Sequence, residues 1–109
     1  MTVALLVEFK DGTLDSAPLS YQDIYRDYWV PLAEGLGRVW FPMFVTGVPI
    51  KEHIEEVLAE VPQLRDTLAK GEREIPADIR QYMLERLGLL EDKLREVRND
   101  DRVASIYIG

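Results

Sequence analysis

The sequence predicts a single α+β domain in the order β-α-β-α-α-β, a small three-stranded mixed sheet packed against three helices. Three observations carry that expectation. Residues 2–10 (TVALLVEFK) form a nearly continuous apolar run of strand length. Residues 50–68 and 79–97 repeat apolar side chains at three- and four-residue spacing, the period of an amphipathic helix. Residues 38–46 and 103–108 are rich in β-branched and aromatic side chains, the composition of strands. No linker rich in Gly, Ser or Pro divides the 109 residues, so one domain is expected over 1–109.

Taken in order, the first strand is apolar at almost every position, which predicts burial on both faces and a central place in the sheet. Asp11-Gly12 ends it as a turn, and residues 11–19 read as a loop. Ser20 suits the N-cap of a helix carrying Tyr21, Ile24, Tyr25, Tyr28, Leu32 and Leu36 on one side. Pro31 removes a backbone donor inside that pattern and predicts a kink over 27–30, with Gly35 and Gly37 ending the helix. The run 38–46 (RVWFPMFVT) reads as the second strand, held to a sheet edge by Pro42.

Pro49 opens the clearest amphipathic helix, 49–70. Ile50, Ile54, Val57, Leu58, Val61, Leu64 and Leu68 lie on one face of it, and Glu52, Glu55, Glu56 and Glu60 on the other. Pro62 predicts a bend or a split after Val61. Gly71 and the charged Glu72-Arg73-Glu74 make the next turn. A last helix runs from Pro76 to about Arg98 with the stripe Ile79, Tyr82, Met83, Leu87, Leu90, Leu94 and Val97. One helix between the first two strands permits a right-handed parallel crossover, whereas two helices before the third strand turn it antiparallel.

Apolar residues make up 47% and charged residues 30%, a globular composition. The absence of cysteine excludes a disulfide scaffold, a thiolate metal site and thiol chemistry. The short apolar start has no basic flank and reads as a strand rather than a leader, and no run approaches the ~20 apolar residues of a membrane helix. A cytoplasmic location without membrane contact is the expectation. The net charge of −7, from 20 acidic and 13 basic side chains, would repel nucleic acid and anionic surfaces and attract a basic protein.

Chemistry-bearing patterns are sparse. His53 is the only histidine, and with Glu52 and Glu56 it falls short of the three or four ligands of a typical metal site, so neither metal nor cofactor is expected. Ser16, Ser20 and Ser105 lack a nucleophile context, and Gly35-Leu36-Gly37 is too short for a phosphate loop. An enzyme is therefore not expected. A hydrolase would need a deep pocket with His53 or a buried carboxylate at its base.

Two groups of residues suit protein recognition instead. Glu52, Glu55, Glu56 and Glu60 form an acidic ridge along two helical turns, complementary to a basic cleft. Tyr25 and Trp29, rimmed by Asp23, Arg26 and Asp27, would form an aromatic hot spot if they are exposed, or half the core if they are not. An alternative function is a small-ligand or regulatory module with a pocket between the first helix and the sheet, near Trp29 and Trp40. Self-association is a further expectation, through an unprotected edge at Val103–Ile108 or through the long last helix.

The short apolar first strand precedes a helix carrying Tyr-x-Asp-x-Tyr-Arg-Asp (Tyr21–Asp27) and the segment Phe41-Pro42-Met43-Phe44. A helix reading Leu58-Ala59-Glu60, Leu64-Arg65-Asp66 and Leu68 follows. Together these resemble small bacterial immunity proteins of polymorphic or contact-dependent toxin systems. The resemblance implies a cytoplasmic, non-enzymatic inhibitor that covers a toxin domain; it assigns no binding residue.

Overall fold

The chain's first reversal decides the topology. Gly12 takes φ +87°, a conformation that glycine adopts without steric penalty. The Asp11 carboxylate accepts hydrogen bonds from the Thr13 backbone N–H (2.9 Å) and hydroxyl (2.6 Å). This side-chain-stabilised turn sends the chain straight back, so β1 (Thr2–Phe9) and β2 (Leu14–Tyr21) form an antiparallel hairpin. Residues 14–21 are thus a strand where a loop was expected. The connection is too short for a parallel crossover.

The computed structural model describes residues 1–71 and 73–109. It is an α+β fold in which a four-stranded, wholly antiparallel sheet, ordered β2-β1-β4-β3, carries four helices among the described residues. The expected three-stranded mixed sheet is corrected accordingly. Glu72, placed by the sequence in the turn before the last helix, lies outside the described residues.

Helix α1 (22–35) follows β2 directly. Tyr21, the last residue of β2, occupies its N-cap position without a side-chain bond, and buried Ser20 donates to the Tyr21 carbonyl instead of capping. Pro31 acts where it was expected to. Without a proline N–H to continue the four-residue pattern, Tyr25–Trp29 widen into a π-helical turn, and Val30 N–H reaches back five residues to the Tyr25 carbonyl.

The second expected strand is instead a loop and a short helix, α2 (Trp40–Met43). Pro42 falls in its first turn, where the missing N–H has no partner to lose. β3 (Val48–Pro49) follows, so Pro49 sits in a strand rather than opening a helix. A 3₁₀ turn (Lys51–His53) leads into α3 (Ile54–Lys70), which continues unbroken past the exposed Pro62. Buried Leu58, Val61 and Leu64 surround that proline in sequence, and their packing carries the helix through it.

Helix α4 (Ala77–Val97) buries Met83, Leu87, Leu90, Leu94 and Val97. Its Glu91 joins it to α3, accepting from Arg65 and, at 3.1 Å, from Arg95. The Arg65 hydrogen bond, with Arg95 in support, holds the Glu91 carboxyl below its usual range. β4 (Val103–Ile108) then enters between β1 and β3, so it is an interior strand and not the free edge expected. The prolines on edge strands are Pro18 in β2 and Pro49 in β3, not Pro42.

All helices lie on one side of the sheet. Val3, Leu5 and Val7 of β1 face them and are buried, whereas Thr2, Leu6 and Glu8 are exposed on the other side. The apolar run therefore hides an ordinary two-faced alternation, and the expectation of burial on both faces is corrected.

Candidate functional site

The Glu60 carboxylate organises the corner where α1, α2 and α3 meet. The position lies three residues after Val57 and four before Leu64, which puts it on the buried stripe of α3. The residue is 6% exposed. Its Oε2 accepts from the backbone N–H of Val39 (2.8 Å) and Trp40 (3.0 Å), and its Oε1 from that of Phe41 (3.2 Å). These are donors at the start of α2 that the helix itself leaves free. Three charge-assisted hydrogen bonds offset the burial of the charge. Glu60 is thus removed from the acidic ridge and becomes the clamp that sets the conformation of Val39 and Trp40.

Tyr25 holds the other side of α2. Its hydroxyl donates to the Phe41 carbonyl at 2.6 Å, and its ring stacks on Trp29 at 5.4 Å. Trp29 in turn lies parallel to Phe41 at 6.3 Å. Burial first, then the neighbouring Glu60 charge, pushes the Tyr25 phenol well above its ordinary range. Trp29 is also inside, its indole N–H buried without a hydrogen-bond partner among the described residues. Of the two readings left open for Tyr25 and Trp29, the structure gives the core: both are under 2% exposed and form the floor beneath α2.

Asp23 and Asp27 stay on the outer face of α1, each 3.4 Å from Arg26. Asp27 lines a shallow concavity with Tyr28, Arg73 and Ile75, whereas Glu52, Glu55 and Glu56 line a different one with His53 and Arg98. The two predicted groups are consequently separate, and the second gathers around a half-buried aromatic.

That aromatic is Trp40, which the sequence reading placed on a strand. Its indole N–H donates to Glu56 Oε2 at 3.2 Å, while Glu56 Oε1 lies 3.1 Å from His53 Nδ1. The Trp40 and His53 rings meet at 4.7 Å, tilted by 32°. One carboxylate thus ties two half-buried rings into a unit. Val39 beside them is 62% exposed. Glu55 pairs with Arg98 at 3.2 Å, and Glu52 is exposed on the 3₁₀ turn without an ion pair among the described residues.

The arrangement offers apolar and aromatic surface rimmed by carboxylates. His53 sits at the surface, and the one buried carboxylate here is already occupied by three backbone donors. No cluster of three or more metal-ligating side chains occurs among the described residues. No helix among them is long and apolar enough to cross a membrane. The signal in the sequence was the place of Glu60 on the buried stripe of α3, which demands donors from elsewhere in the chain without naming Val39 or Trp40. Compared with family models, with curated proteins and with solved structures, the chain matches none.

Proposed function

We propose that this protein is a non-enzymatic protein-binding inhibitor of the immunity or antitoxin type, which covers a basic domain of its partner. The contact is the corner formed by Val39, Trp40, His53 and Glu56, with Glu52 and Glu55 as its acidic rim. The observation that carries this reading is the Glu56 carboxylate bridging the Trp40 indole and His53. A tryptophan held in one orientation loses little entropy on binding, which is the property of a hot-spot anchor. The surrounding carboxylates speed encounter with a basic surface and make binding weaken as salt rises.

The experiment is capture of partners from the native cell on the immobilised protein at ~50 and ~300 mM salt, spanning a large change in screening length. A single stoichiometric, basic protein is expected, retained at low salt and lost by the E52K/E55K variant. Equal retention by that variant, with unchanged salt dependence, would remove this face from consideration.

A further inference from the structure

The side of the sheet away from the helices carries more apolar surface than a solvated face normally does. Strand register puts Ser16, Leu6, Tyr107 and Pro49 in one row across all four strands, with Pro18 and Ala4 in the next. Leu6 is 42% exposed and Tyr107 40%. The tyrosine ring lies across the backbone at Gly47: a Cβ there would come within 1.8 Å of its hydroxyl oxygen. The row is therefore low and smooth rather than studded.

Charge is almost absent from this face. The four strands contain two charged side chains, Glu8 and Asp15, and Asp15 points toward the helices, where it pairs with Lys93. Glu8 alone remains outside, in a chain of net charge −7. This face therefore adds little to the repulsion between two acidic chains.

We propose that this face binds a second copy of the chain, sheet against sheet about a two-fold axis. Strands of eight, eight, six and two residues, at about 3.3 Å per residue and about 4.8 Å apart, cover roughly 380 Å² per copy and roughly 760 Å² for the pair, below the ~1,000 Å² of a stable specific interface. The dimer is accordingly of the weak, transient kind. Because two acidic chains meet through a nearly neutral face, added salt tightens the dimer, opposite in sign to the effect on binding a basic partner. This inference is independent of the proposed function and uses none of the residues at the Trp40 corner.

Sedimentation velocity from ~10 μM to ~1 mM tests it at ~50 and ~500 mM salt, conditions that suit a weak dimer and span a large change in screening. A monomer–dimer equilibrium is expected, at least ~3-fold tighter at the higher salt. Leu6→Lys, and separately Ser16→Arg, should each weaken it at least ~10-fold while leaving the circular dichroism spectrum unchanged. A monomer throughout, a dimer indifferent to both substitutions, or a dimer loosened by salt would each overturn the proposal.

Discussion

The carboxylate of Glu60 and the backbone N–H of Trp40 lie 3.0 Å apart across 20 residues of sequence, joining α3 to the start of α2. Val39 and Phe41 donate to the same carboxylate, so one buried side chain fixes the segment that carries the half-buried aromatic. Glu60→Gln keeps one acceptor oxygen and should destabilise the fold by about 1–3 kcal/mol; Glu60→Ala strands three donors and should cost about 2–4 kcal/mol. Urea titration measures both. Glu52→Gln, on the exposed rim, should stay within about 0.5 kcal/mol of the parent.

Tyr25 acts on the same segment from below. Tyr25→Phe removes the shorter of two hydrogen bonds to the Phe41 carbonyl, which keeps the Phe44 N–H at 3.3 Å, and should cost about 1 kcal/mol near neutral pH. The parent also carries an alkaline liability. Its buried phenol resists ionisation, so the folded state binds a proton that the unfolded chain releases as pH passes its ordinary value near 10. Stability should fall as pH rises above that point, and the fall should be shallower in Tyr25→Phe. Denaturant midpoints between pH ~9 and ~11 compare the two.

The turn into β4 has an acid counterpart. Arg102 donates to Asp100 through its side chain and its backbone N–H, holding the carboxyl at about 2 against an ordinary value of 3.8. A depressed folded value means that the contribution is present above the ordinary value and is lost as pH falls toward about 2. Asp100→Asn should flatten that part of the acid unfolding profile while leaving the region above pH ~5 parallel to the parent, as followed by tryptophan fluorescence.

Local chemistry made some features legible in the sequence. Pro31 announced the widened turn in α1, and the apolar stripes of α3 and α4 gave their buried faces nearly residue by residue. The β1–β2 hairpin was hidden because β2 reads LDSAPLSY, poor in β-branched residues and interrupted by Pro18. Its stability comes from the Asp11 turn and its pairing with β1 rather than from propensity. The opposite error occurred at 38–46, where strand-like residues are buried as a loop and a helical turn clamped by Glu60. Binary patterning assigned Glu60 to the polar face, since its three donors are distant in sequence. For Tyr25 and Trp29 the sequence left core and surface both open; helical spacing put Tyr25 on the apolar side, and α2 closing over the pair is what buries them.

The central claim is that the clamped Trp40 corner is the recognition surface. Isothermal titration of the captured partner against Trp40→Ala tests it most directly, with Tyr82→Phe on α4 as a reference substitution away from the corner. The account predicts that Trp40→Ala retains the fold and binds at least ~30-fold more weakly, the loss of about 2 kcal/mol expected of a hot-spot anchor. Affinity within ~3-fold of the parent would contradict it.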